Sequence, residues 1–220
     1  AVLRESLAKV TTDNAQGEKY LTDVLGLARE AGGRVEAHTI DDLMQTEGVN
    51  DKVQLAAMGR ELNRRVVAQA MRDGAIVIDP ATTFVDVDVS IGRDTVVQPN
   101  TQLRGATTIG ARCEIGPDTT LVDTEVADDA SVVRTQANLA TIGAGAIIGP
   151  DTTLVDCEVG EGARVSRTDG TLAVIGAEAQ VGADAAGGPG APLRWDARGV
   201  TDSTAGAPAS PEELAAALER

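Results

Sequence analysis

Seven aliphatic residues stand six apart without a slip along the middle of the chain: Val85, Ile91, Val97, Leu103, Ile109, Ile115 and Leu121. A helix would return apolar residues every three or four positions and a simple strand every two, so a period of six describes a short strand plus a turn. Three such units close one triangular coil, the arrangement of a hexapeptide-repeat parallel β-helix. The positions two residues earlier support this, because i and i−2 on a strand face the same side. They are Val89, Thr95, Thr101, Thr107, Cys113 and Thr119, all small or β-branched. Glycine often follows the aliphatic residue, as at Gly92, Gly110, Gly116, Gly143 and Gly149, and is expected to supply corner dihedrals that other residues reach only with strain. Pro99, Pro117 and Pro150 preset turns.

Beyond Leu121 the pattern continues with slips through Val126, Val132, Ile142, Ile148, Leu154, Val159, Val165, Ile175 and Val181. Breaks fall between Val132 and Ile142 and between Val165 and Ile175. The small inward partners persist, among them Thr124, Ala130, Ala140, Ala146, Thr152, Cys157, Ala163, Ala173 and Ala179. A coarser duplication overlies this pattern. Residues 115–144 match residues 148–177 at 20 of 30 positions, with IGPDTTLVD identical in both and with the same five-residue slip and the same break. A tandem copy of two whole coils accounts for this, and it requires Ile115 and Ile148 to lie on one face of the prism.

The remainder of the chain reads differently. Helical periodicity is expected over about 2–10, 19–31 and 51–72, with a short strand at 34–40 that would need sheet partners from elsewhere. The long helix carries Val53, Leu55, Ala56, Leu62, Val66, Val67 and Ala70 on an apolar face, with Arg60, Arg64 and Arg65 elsewhere, as suits a connector between domains. Residues 183–209 hold sixteen Ala, Gly or Pro among twenty-seven, the composition of a flexible linker. Residues 210–220 form a candidate terminal helix, with Ser210 as N-cap, Pro211 at its first turn and Glu213 placed for a capping box. The expected organisation is therefore 1–50, a helix at 51–73, a β-helix at 74–182, a linker at 183–209 and a helix at 210–220.

Only Tyr20, Phe84 and Trp195 are aromatic, which suits a narrow prism filled by branched aliphatics. The net charge of −15 is uneven: residues 1–73 carry ten Lys/Arg against twelve Asp/Glu, and residues 74–220 nine against twenty-two. An acidic prism repels phosphate backbones, which argues against nucleic-acid binding. Cys113 and Cys157 both take the small inward position and read as core fillers. No apolar run is long enough to span a bilayer and no basic-then-apolar leader opens the sequence, so a reduced, cytoplasmic setting is expected.

Three stretches, NAQGEKYLTDV at 14–24, EGVNDKVQLA at 47–56 and DPATTFVDVDVSIGRDTVVQPNTQL at 79–103, resemble successive parts of a bacterial enzyme family. These are the bifunctional N-acetylglucosamine-1-phosphate uridyltransferases and glucosamine-1-phosphate N-acetyltransferases, in an actinobacterial style. The likeness covers about residues 1–150. It implies a left-handed parallel β-helix preceded by the C-terminal piece of an α/β nucleotidyltransferase domain and a long connecting helix. It further implies a homotrimer that makes UDP-N-acetylglucosamine for cell-wall synthesis. In such enzymes acetyl-CoA acetylates glucosamine-1-phosphate, and the product is coupled to UTP with Mg2+. The asparagine of the GVN motif maps to Asn50, which the resemblance makes a ligand of magnesium and of the sugar nucleotide. An asparagine oxygen suits that hard cation. The alternative is that Asn50 is the N-cap of the long helix.

The sequence also departs from the family. The resemblance places the glycine-rich nucleotide loop and the aspartate that partners Asn50 ahead of Ala1, and residues 1–73 hold no glycine-rich phosphate cradle. After the IGP motif the family continues with an arginine-bearing segment, a lysine-bearing Asn-Phe-Val-Glu stretch and a catalytic histidine, where this chain repeats its earlier copy. Its one histidine, His38, lies outside the repeats. General-base catalysis in the prism therefore has no evident carrier, and no catalytic residue is assigned. Neither active site is expected to be complete in this stretch, and a catalytically silent trimeric β-helix scaffold is the alternative. Another hexapeptide acyltransferase would also need a prism histidine, and a zinc enzyme of this architecture would need three.

Overall fold

A computed structural model describes residues 2–182 and 194–195. Two compact units divide at Val49 and Asn50.

The unit from Asn50 onward contains the prism. Its strands form three parallel sheets of seven, six and seven members, in each of which neighbours in space come from successive coils. One inward ladder runs Val77, Val97, Ile115, Val132, Ile148, Val165, Val181. A second runs Val85, Leu103, Leu121, Ala137, Leu154, Gly170. The third runs Ile91, Ile109, Val126, Ile142, Val159, Ile175. Parallel register stacks like on like, so the aliphatic side chains form continuous columns; Leu103, Ile115, Leu121, Ile142, Ile148, Leu154 and Ile175 are all 0% exposed.

The two breaks in the aliphatic pattern are not breaks in the fold. Ala137 pairs with Leu121 and Leu154, and Gly170 pairs with Leu154, so rungs stand where the sequence shows no aliphatic residue. At Gly170 a methyl group would meet Leu154 Cδ2 at 3.3 Å, because the neighbouring leucine fills the space. Ile115 and Ile148 share a ladder two coils apart, as a copy of two whole coils requires. The 33 residues between them cover two coils because three of the six steps take five residues rather than six.

The corners correct one expectation. Of the glycines that follow inward aliphatics, Gly116 and Gly149 have positive φ, whereas Gly92 and Gly110 do not. A Cβ on Gly92 would lie 2.4 Å from the backbone of Gly110 in the next coil, so close coil stacking, and not dihedral freedom, demands glycine there. Left-handed corner positions fall mostly to polar or charged residues such as Asp94, Asn100, Arg112 and Asp129. One corner column is threonine throughout: Thr83, Thr101, Thr119, Thr135, Thr152 and Thr168 are all buried. Each hydroxyl donates to a nearby carbonyl, for example Thr101 to Gln98 O at 2.7 Å and Thr135 to Val133 O at 2.9 Å. A buried hydroxyl in this column is thereby satisfied rather than costly.

Three α-helices precede the prism among the described residues: α1 (Val2–Leu7), α2 (Asp23–Glu30) and α3 (Lys52–Asp73). The Asp51 carboxylate caps α3 by accepting from Gln54 N at 2.7 Å. Gly74, at φ 116°, ends it in a left-handed turn. Val67 is 1% exposed and joins the prism core with Val66 beside it. Much of the expected apolar face points to solvent instead, with Val53 77%, Leu55 59% and Leu62 52% exposed. The strand expected at 34–40 is absent: those residues are irregular and exposed. Val35, Glu36 and their neighbours have the alternation of a strand, but no neighbouring strand pairs with them, and an isolated strand leaves its backbone groups unsatisfied by a ladder. Within the expected linker, Arg194–Trp195 form a short strand parallel to Val174–Ile175. The terminal helix expected at 210–220 lies outside the described residues.

Candidate functional site

Asn50 stands immediately before α3 and is exposed. Its backbone N–H donates to Gln54 Oε1 at 2.7 Å, and its side-chain amide has no hydrogen bond among the described residues. The N-cap role falls to Asp51, one residue on, because the Asp51 backbone is extended and its carboxylate meets the Gln54 N–H. This corrects the alternative that made Asn50 the cap. The amide oxygen of Asn50 is a suitable hard donor for magnesium, but that ion needs about six oxygens, and the neighbouring carboxylate is engaged in capping. No group of three or more His, Cys, Asp or Glu able to hold a metal occurs among the described residues. The oxygens needed beside Asn50 are thus not gathered around it here.

The prism offers little acid–base chemistry. Cys113 and Cys157 are each 2% exposed, and burial pushes both thiols up from their ordinary pKa. A thiol held neutral is a poor nucleophile. His38 is exposed in the first unit. The charged groups of the corners serve the coil itself: Arg112 donates to both carboxylate oxygens of Asp129 at 2.7 Å, and this pairing pulls the Asp129 carboxyl down and the guanidinium up.

A cleft of about 680 Å³ lies beside α3, lined by residues including Arg60, Asn63, Arg64, Phe84, Gln102 and Arg104. Asn63 fixes its wall. Its amide donates to Thr83 O at 2.8 Å while its Oδ1 accepts from Val85 N at 2.9 Å, so one side chain extends the backbone pairing of the Phe84–Val85 strand into the helix. Arg60 and Arg64, four apart, share a helix face. Phe84 and Gln102 are cross-strand partners whose side chains point outward, with Arg104 next on the same face. Glu61 binds Arg64 at 2.7 and 2.8 Å and Arg65 at 2.6 Å, and these guanidiniums draw its carboxyl down to about 2. The sequence contains no signal for this cleft, because Arg104 lies some forty positions from Arg60 and Arg64 and only helix docking joins them.

The family model described as "Bacterial transferase hexapeptide (six repeats)" matches residues 88–122. The bifunctional protein GlmU of Corynebacterium glutamicum is 60% identical over 135 residues, covering 61% of this chain and 28% of the relative. GlmU of Mycolicibacterium gilvum is 62% identical over 133 residues, covering 60% and 27%. Over about three fifths of its length the chain is similar to GlmU proteins. It spans little more than a quarter of the length of the curated relatives it matches. Among solved structures, the UDP-N-acetylglucosamine acyltransferase from Campylobacter jejuni aligns with a TM-score of 0.36 at 17% identity, over 52% of this chain and 63% of that one. No helix among the described residues is long and apolar enough to cross a membrane.

Proposed function

We propose that this chain is part of a GlmU-type bifunctional transferase of UDP-N-acetylglucosamine synthesis, with neither active site complete within it. The observation that carries the reading is about 60% identity to GlmU proteins over 135 and 138 residues, some three fifths of the chain. In the whole enzyme, acetyl-CoA would acetylate glucosamine-1-phosphate and UTP would then be coupled to the product with magnesium. Asn50 would contribute one oxygen toward that cation and the sugar nucleotide, with its free amide as the available group. The assembly would be a cytoplasmic homotrimer. No step is assigned to a residue of the prism, because it contains no histidine and its thiols are buried.

The second reading is a trimeric scaffold without catalysis, favoured by complete rungs alongside missing acid–base groups. Two assays of the purified chain separate these readings from an intact enzyme: thiol release from acetyl-CoA with glucosamine-1-phosphate, and pyrophosphate release from UTP with N-acetylglucosamine-1-phosphate. Neither is expected to exceed the protein-free blank. Saturable turnover in either one would overturn the claim of incomplete sites. Recovery of acetyl transfer on grafting the relatives' later coils after Pro150 would favour the enzyme fragment over the scaffold.

A further inference from the structure

We propose that the cleft between α3 and the first coils binds a phosphorylated ligand of nucleotide size, independently of the acetyl and uridyl chemistry above. Its lining contains three arginines and no carboxylate, in a chain with 34 Asp/Glu against 19 Lys/Arg. Arg60 and Arg104 have no ion-pair partner among the described residues, and Arg64 gives only its Nε and one terminal nitrogen to Glu61. Two whole guanidiniums and part of a third are left to face the opening. Planar guanidinium forks match phosphate oxygens in pairs, and anions meet them with charge-assisted hydrogen bonds.

The cleft is more than a charged patch. Its volume of about 680 Å³ lies in the range that encloses a small organic molecule rather than a single ion. Phe84, the one phenylalanine of the chain, is 42% exposed on its wall, with Pro80 and Ala81 beside it. An exposed aromatic ring next to cations fits a flat base attached to the phosphate. The Gln102 amide, without a hydrogen-bond partner among the described residues, adds a donor and an acceptor for polar edges. The Asn63 bonds to Thr83 and Val85 hold both walls in place before any ligand arrives, which limits the ordering cost of binding.

Isothermal titration with ADP on the full chain tests this. Saturable one-to-one binding is expected. Arg60→Gln and Arg104→Gln should each weaken it by about tenfold and the double variant by about a hundredfold, as loss of one and two charge-assisted contacts requires. Both arginines are exposed, so the double variant should melt with the wild type. Arg112→Gln, which removes a cation already held by Asp129, should bind ADP unchanged. Phe84→Leu should weaken ADP but not pyrophosphate. Absence of saturable binding at millimolar ADP would overturn the proposal, as would an equal loss in Arg112→Gln or displacement of ADP by a glutamate-rich peptide at lower concentration.

Discussion

The first and the later coils of the prism reach the same cross-section with different lengths of chain. Val97 to Ile115 takes eighteen residues for one turn, whereas Ile115 to Val132 takes seventeen and Val132 to Ile148 sixteen. The inward columns and the parallel register run through both regions unchanged. Length is therefore absorbed at the corners, where single left-handed residues such as Asn100, Asp123, Leu139 and Asp156 turn the chain. The strands need only two to four residues each, and they fix which side chain points inward. What the fold demands is a residue small enough for the ladder at each rung, not a constant number of residues between rungs.

The strongest challenge to that comparison is to remove one copy. Deleting residues 116–148 joins Ile115 to Gly149 and subtracts two whole coils, so the shortened chain should retain its β-sheet circular dichroism and a single cooperative melt at lower temperature. Loss of cooperative melting would show that the copies are not interchangeable. Next in size are the ladder residues. Ile115→Ala and Ile148→Ala should each cost about 2–5 kcal/mol in denaturant melts, and by similar amounts, because both are fully buried in one column. The glycine corners sharpen the difference between copies. A Cβ at Gly149 would lie 1.8 Å from the Val133 carbonyl oxygen, whereas at Gly116 the nearest atom is the Thr101 hydroxyl at 2.3 Å. Gly149→Ala should destabilise by more than about 1 kcal/mol and by more than Gly116→Ala, since backbone yields less than a side chain.

Smaller effects separate corner from surface. Leu139, at φ 53° and 57% exposed, sits in a left-handed corner that its side chain disfavours. Leu139→Asn should raise stability by about 1 kcal/mol, read from the denaturant midpoint. The ion pairs of Glu61 should matter least. Its folded pKa is lowered from 4.5 to about 2, so its contribution is present above pH 4.5 and fades as pH falls toward 2. The carboxylate is partly accessible and so screened by solvent, and Glu61→Gln should flatten only a shallow acid limb of the melting profile.

Most of the prism was legible in the sequence because parallel stacking repeats one requirement on every coil. The rungs at Ala137 and Gly170 were not, since alanine and glycine carry little periodic signal; only Thr135 and Thr168, two residues before them, continued a visible column. The strand expected at 34–40 failed for the opposite reason, as alternation specifies a face but cannot supply a partner. At the start of α3, neighbouring Asn50 and Asp51 are equally good caps by type, and the extended backbone of Asp51 decided between them. The arginine cleft was invisible because nothing in the spacing of Arg60 and Arg104 announces that one helix will dock beside one strand.

The whole-coil duplication makes the molecule a ruler. Since stacked strands stand about 4.8 Å apart, each 33-residue copy moves the far end of the prism about 10 Å away from α3 without altering either end. Copying the segment in the gene would thus set a spacing in fixed increments while leaving the walls of the cleft beside α3 as they are.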